Sequence, residues 1–257
     1  MSEKSGESAR DQLASWFASP FGSYLLASER HALEKSMSRL RGYHLMQLAG
    51  TGKPLIDVSL GHSHGFSIAP FKLNGNVGSI ADFEALPLPY ETIDTAILHH
   101  ALEFSANPHQ VLNEAARVIA PGGHIVLVVF NPYSCFGLIK AMARFFSCNP
   151  VWRANNLRYG RLMDWLKLLG FQHTDTAHGC HQLPFSWQGW LKKTAVLRRL
   201  DKRNACPGGN YYVIIARKQV APLTPTGKPF WRSLGAPLVP SMKVSPIKKT
   251  VCEKKCE

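Results

Sequence analysis

Apolar positions along the chain alternate between helical and strand-like spacing. From Ser28 to Leu40, Leu33, Met37 and Leu40 recur at steps of four and three with Glu and Arg between them, which predicts an amphipathic helix. Upstream lies an aromatic-rich stretch, Trp16, Phe17, Phe21, Tyr24 and Leu25, interrupted by Pro20. It serves either as simple packing or as the cap of a pocket. Tyr43 to Leu48 reads as a first strand, and Ala49-Gly-Thr-Gly52 as a glycine-rich turn. Between Gly65 and Asp94 no long helix fits. That stretch holds Phe66 to Ala69, a Gly-Asn-Val-Gly turn at 75–78, and Ser79 to Phe83. Thr95 to His99 is a short apolar run of the kind buried in a parallel sheet. Asn107 as N-cap and Pro108 at the first helical position then open a helix whose stripe is Val111, Leu112, Ala115, Ala116 and Ile119. Pro121-Gly-Gly123 is expected to stop it before a second buried strand, Ile125 to Phe130, which makes a strand, helix, strand unit with a right-handed crossover. Further helices are predicted over 136–147 and 158–169, the latter ended by Gly170 at C′, and strands over 171–176 and 211–216.

Composition narrows the class. With 257 residues, 45% of them hydrophobic, the chain can bury one sizeable core. The 30 Lys and Arg against 17 Asp and Glu leave a formal charge of +13, which excludes an acidic disordered chain and favours a partner or substrate of negative charge. No 18-residue apolar run is present, and residues 1–10 are polar and mixed in charge, so the expected location is cytoplasmic. Much of the charge sits late. Residues 218–257 carry six prolines and eight Lys or Arg against two Glu, the composition of a basic disordered tail. Residues 177–208 read as an insertion holding Trp187, Trp190 and a run of Lys and Arg. The six cysteines, at 135, 148, 180, 206, 252 and 256, are too dispersed for a disulfide framework. Cys252 and Cys256 lack the second pair that a structural zinc needs, so no metal is expected.

The alternation predicts an open α/β sheet, with its ligand at the carboxyl ends of the strands. Residues 82–94 read Asp-Phe-Glu-Ala-Leu-Pro-Leu-Pro-Tyr-Glu-Thr-Ile-Asp. They are followed by Leu98-His-His-Ala-Leu-Glu103 and by Pro108-His-Gln-Val-Leu-Asn-Glu-Ala-Ala-Arg-Val-Ile-Ala-Pro-Gly-Gly123. This text resembles the class I S-adenosylmethionine-dependent methyltransferases, of the methyltransferase type 11 kind, over about residues 28–217. The Leu-Pro-x-Pro…Asp94 element and the Arg-Val-Ile-x-Pro-Gly-Gly turn are its specific signals. Residues 102–104, 107–109 and 130–132 look like a proteobacterial subgroup of methyltransferase-like proteins. The resemblance implies a Rossmann-like fold, a seven-stranded, mostly parallel sheet with helices on both faces and an antiparallel last strand. It also implies an N-terminal extension over 1–27, a methyltransferase-like domain over 28–217, and the tail over 218–257.

The same resemblance places S-adenosyl-L-methionine as cofactor. Gln47, Gly50 and Gly52 occupy the element beside its methionine part, where only glycine lets the backbone approach closely. A second register, from Asp57 with Gly61 and Gly65, leaves too short a chain before Asp82 for the helix and strand that belong between. Asp82 matches the carboxylate that accepts from the adenine amino group, and Phe83 the neighbour that packs on the ring. The acidic residue that holds the ribose in the family has no counterpart in Ser67-Ile-Ala-Pro70. His99, His100 and Glu103 follow the fourth strand, whose end faces the transferred methyl group in the family, and His99 is also placed beside the cofactor. A histidine there can serve as general base, with an unperturbed pKa of ~6.5, or as a core group. Asn131-Pro-Tyr133 reads as a strand-ending turn. The leading expectation is a methyltransferase acting on a small-molecule acceptor, with no obligate protein partner. The alternative is a catalytically inactive binding protein of the same fold that meets RNA or an anionic membrane surface through its basic regions.

Overall fold

The computed structural model describes residues 11–51, 55, 62–70, 78–146, 149–180 and 208–219. Gly52, residues 181–207 of the expected insertion and residues 220–257 of the expected tail lie outside these residues, while β6 and β7 take in residues 177–179 and 218. Helix α1 covers residues 11–18, and α2 runs from Pro20–Met37. Strands β1 (Gly42–Ala49), β2 (His62–Ala69), β3 (Ser79–Ile80) and β4 (Ile93–His99) follow. Then come α3 (Ala101–Phe104), α4 (Pro108–Val118), β5 (Ile119–Phe130), α5 (Cys135–Phe146), α6 (Pro150–Arg153) and α7 (Tyr159–Leu168). Strands β6 (Phe171–Gly179) and β7 (Tyr211–Lys218) close the fold.

The seven strands form one sheet in the order β3-β2-β1-β4-β5-β7-β6. Pairs β1–β2, β1–β4, β2–β3 and β4–β5 are parallel, whereas β7 is antiparallel to both β5 and β6. The order reverses at β1, and sheets of this kind take ligands at the carboxyl ends of the strands beside such a reversal. Side chains alternate across the sheet. Met46, Leu48, Ala96, Leu98, Ile125 and Leu127 pack with α4 and α7 on one face. Leu45, Ile97, Val126, Val128 and Phe130 pack on the other against Leu13, Phe17, Phe21, Leu25 and Leu33.

Several elements differ locally from the pattern of the sequence. The first long helix starts at Pro20 rather than near Ser28, because Ser19 accepts the Gly22 N–H as N-cap and Pro20 fits the first helical turn, where its missing N–H costs nothing. Asn107 does precede α4, but its side chain donates to Glu84 at 2.9 Å instead of capping the helix. The Pro121-Gly-Gly123 turn does not precede the strand. β5 already begins at Ile119 and passes through it, with Gly122 at φ +80 and a register shift against β4 between Ile93 and Thr95. The Asn131 turn is as expected, with Asn131 Oδ1 accepting the Tyr133 N–H and its amide donating to Gly209.

The two motifs that carry the family resemblance hold each other. Arg117 donates to the carbonyls of Leu86 and Leu88 at 2.9 and 3.0 Å, and Glu114 pins the guanidinium at 2.9 Å. The Arg-Val-Ile turn is thus the clamp of the Leu-Pro-x-Pro segment. Asp94, at the end of that segment, accepts the N–H groups of Tyr43 and His44 at 2.7 and 2.9 Å, tying the start of β1 to β4.

Candidate functional site

Gly50 follows β1, and its N–H donates to the His99 carbonyl at 2.9 Å, which carries the β1–β4 ladder one residue past the strands. A Cβ on Gly50 would meet the His100 carbonyl oxygen at 2.6 Å and the Ala101 nitrogen at 2.9 Å. Only glycine permits this contact between the two strand ends. His100 takes φ +51, a left-handed conformation, and this turn starts α3 immediately after β4.

That turn sends the two histidines onto one carboxylate. His99 Nε2 lies 3.0 Å from Glu29 Oε2, and His100 Nε2 lies 3.0 Å from Glu29 Oε1. His100 Nδ1 pairs with Glu103 Oε2, and Glu103 Oε1 accepts the Phe130 N–H at 3.0 Å. On the other side, His99 Nδ1 lies 3.3 Å from Thr51 Oγ1. The pairing assigns the tautomers, with both nitrogens of His100 donating, while His99 donates from Nε2 and accepts from Thr51 at Nδ1. The result is a buried chain that runs Thr51, His99, Glu29, His100, Glu103 and the end of β5. The side chains of Glu29, His99, His100 and Glu103 are all fully buried.

Electrostatics follow from this geometry. Burial alone would push His100 down, but the Glu29 and Glu103 carboxylates outweigh it and hold its pKa at about 9. His100 is therefore an imidazolium at neutral pH, stacked on Phe130 with centroids 4.0 Å apart. Burial would likewise raise Glu29, yet His100 and His99 bring it down to about 2. His99 is pushed below its ordinary value by burial, against the pull of Glu29, and stays neutral. Lys140, 2% exposed, has its ammonium pushed down by burial while Glu103 pulls it back.

The sequence reading brought His99, His100 and Glu103 forward, and the structure joins them. None of the three reaches solvent, so contact with a ligand would pass through Thr51. Gln47 is buried on β1, two residues before its end. Asp82 is exposed beyond β3, its Oδ1 accepting the Glu84 N–H at 3.0 Å. Phe83 is 5% exposed and committed to the core cluster of Met46, Leu48 and Leu86. Asp82 lies two residues past β3, which β2 separates from β1 in the sheet. Sequence reasoning missed Glu29 and Thr51. The signal for Glu29 was present, since it shares a helical face with Leu25 and Leu33 and is a carboxylate on an apolar stripe.

Glu29, His99 and His100 offer three ligand atoms within 4.8 Å of one another. Each of these atoms already serves a hydrogen bond of the chain just described. A cleft of about 400 Å³ opens between α2 and the segment after β1. Its walls are Ser23, Leu26, Arg30, His31 and Glu34 on the helix, with Thr51 and Leu55 opposite. Arg30 Nε donates to the Leu55 carbonyl at 2.8 Å and closes one side. Thr51 thus belongs both to the cleft wall and to the buried chain. No helix among the described residues is long and apolar enough to cross a membrane.

Known proteins match this architecture. A family model described as a methyltransferase domain matches residues 67–127, from within β2 to within β5. The uncharacterised protein YafS of Escherichia coli is 27% identical over 209 residues, covering 81% of this chain and 82% of YafS. Among solved structures, a SAM-dependent methyltransferase from Thermotoga maritima superposes with a TM-score of 0.58 at 18% identity, covering 79% of this chain and 93% of that one. A SAM-dependent methyltransferase from Archaeoglobus fulgidus gives 0.54 at 15%, covering 75% and 94%. These likenesses define a Rossmann-like sheet of the class I methyltransferase type.

Proposed function

We propose that this chain, whose fold is of the class I methyltransferase type and whose residues 67–127 match a methyltransferase domain, binds S-adenosylmethionine and methylates a small-molecule acceptor. The observation that carries the reading is the strand order, which reverses at β1 and sets the Gly50–Thr51 turn at the carboxyl edge beside a cleft of about 400 Å³. That volume lies in the range of small-molecule sites.

The residues present fit the cofactor at its two ends. Thr51 lines the cleft at the β1 end, where the side of Gly50 is already taken by the His100 carbonyl, and Asp82 beyond β3 is an exposed carboxylate that can accept from an exocyclic amine. In its bound state S-adenosylmethionine supplies an electrophilic sulfonium methyl group. The chain's own contribution is orientation and exclusion of water, which is where most of the acceleration of such a transfer arises. His99, His100, Glu103 and Glu29 act in this reading as positioning residues that hold the β1 and β4 ends together. Thr51 is their contact with the cleft.

A second reading is favoured by one observation, the Ala69-Pro70 sequence that ends β2 where the family holds the ribose with a carboxylate. In it the chain keeps the fold as a binding protein without transfer. Calorimetric titration of the full chain with S-adenosylmethionine and S-adenosylhomocysteine tests the first reading. The expected result is micromolar binding that Asp82→Ala weakens tenfold or more, the loss of one hydrogen bond to a charged group. Absence of binding up to about millimolar overturns the reading. Unchanged affinity in Asp82→Ala removes Asp82 from the site.

A further inference from the structure

Helix α5 is apolar on the wrong side. Leu138, Met142, Phe145 and Phe146 are 61%, 68%, 85% and 89% exposed. At about 100° per residue these four positions share an arc of about 100°, and the exposed Cys135 falls within it. The opposite side of the helix holds the buried Phe136, Gly137 and Lys140. A helix apolar all round is normally enclosed, and two adjacent, almost fully exposed phenylalanines are far from the scattered single apolar residues of an ordinary surface.

The surroundings indicate what covers this ridge. From Asn131 to Leu169 the chain carries six Lys or Arg and a single acid, Asp164. Arg153 is exposed on α6, which packs against α5, and Arg158 lies over the ring of the exposed Tyr133, just before α5, with its guanidinium carbon 5.9 Å from the centroid, whereas Arg144 lies on the side of α5 opposite the ridge. An apolar ridge within a basic segment matches an interface that is apolar below an anionic surface. A second copy of the chain fits poorly, because it would bring another +13 of charge toward the same basic flank. From this juxtaposition we infer that α5 docks the protein onto an anionic lipid bilayer, with Leu138, Met142, Phe145 and Phe146 entering the acyl boundary and Arg153 and Arg158 meeting the headgroups. The helix lies in the plane of the surface and does not span it.

Sedimentation of the full chain with vesicles of phosphatidylcholine alone, and of equal parts phosphatidylcholine and phosphatidylglycerol, tests this. Binding is expected with the anionic vesicles only, weakening as salt rises. The Phe145→Ser, Phe146→Ser double variant should lose at least tenfold in partitioning with an unchanged melting temperature, since neither ring is packed in the core. Arg158→Gln, which leaves the ridge intact, should lose a smaller, salt-dependent part. No binding to anionic vesicles overturns the inference. So does equal binding by the double variant, which would assign attraction to other basic segments. A dimer in size-exclusion chromatography that the double variant abolishes would make the ridge a contact between copies instead.

Discussion

Two regions of this molecule reverse the usual partition of side chains, and they do so in opposite directions. Beneath α2, four ionisable side chains, Glu29, His99, His100 and Glu103, are sealed from solvent. On α5, Leu138, Met142, Phe145 and Phe146 are left in it. The first arrangement is complete in itself. Each carboxylate oxygen has a donor, each imidazole nitrogen a partner, and Phe130 stacks on the one histidine that carries charge. The second is incomplete, because an apolar surface has no internal means of satisfaction and can only be covered. Burial of charge therefore marks a finished structural element here, whereas exposure of apolar surface marks a partner.

The largest effect should come from breaking the buried network at its centre. Glu29→Ala removes the carboxylate shared by both histidines and leaves the His100 charge with Glu103 alone. A loss of about 3–5 kcal/mol is expected in chemical denaturation, the cost of stranding a buried charge. A loss under about 1 kcal/mol would mean that water or neighbouring groups replace Glu29.

Next is the pH dependence of stability. His100 has its pKa raised from 6.5 to about 9 in the fold, so its stabilising contribution is full below pH 6.5 and is lost as the pH rises through 9. Between pH 7 and 9 the protein should lose about 2 kcal/mol through this group. The measurement is the difference in unfolding free energy between the protein and His100→Gln across that range, and a flat difference refutes the assignment. Glu29 acts on the acid side. Its pKa is lowered from 4.5 to about 2, so its contribution is present above 4.5 and disappears as the pH falls toward 2.

A smaller effect is expected at the edge of the network. Thr51→Val removes the hydroxyl beside His99 Nδ1 and should cost about 1 kcal/mol, the net worth of one hydrogen bond. If Thr51 also connects the network to the cleft, cofactor affinity should fall with it, and stability loss without any affinity change would separate the two regions. The smallest effect on stability belongs to α5. Phe145→Ser should shift the unfolding free energy by no more than about 0.5 kcal/mol, as for an exposed position without packing. A larger destabilisation would show that the ridge is already covered by this chain.

Much of the fold was legible along the chain. The places of β1 and β4 followed from short apolar runs, and α4, α5, α7, β6 and β7 stood within a few residues of their expected bounds, because their periodicity is enforced by burial on a known face, whereas β2 begins at His62, ahead of the expected Phe66, and β3 stops at Ile80, short of Phe83. The start of α2 was misread because Pro20 was taken as an interruption, although after Ser19 a proline is a regular opening of a helix. The start of β5 was misplaced because Pro121 and the glycines signal a turn locally, while the β4 ladder holds them in strand.

Within the site, His99, His100 and Glu103 could be picked from the text because they sit close together after a predicted strand. Their partner Glu29 could not be joined to them. It lies 70 residues earlier than His99, and no local pattern encodes a contact across that distance. The sequence by itself determined where most strands and helices lie, the excess of positive charge, and the presence of the motif pair, whose contact through Arg117 is tertiary. Those depend on local spacing and composition. Only the tertiary structure decided that the histidines are sealed rather than open, that His100 carries a proton at neutral pH, and that the outward face of α5 is the apolar one. Burial and charge state are set by what surrounds a side chain in space, and those neighbours come from remote parts of the chain.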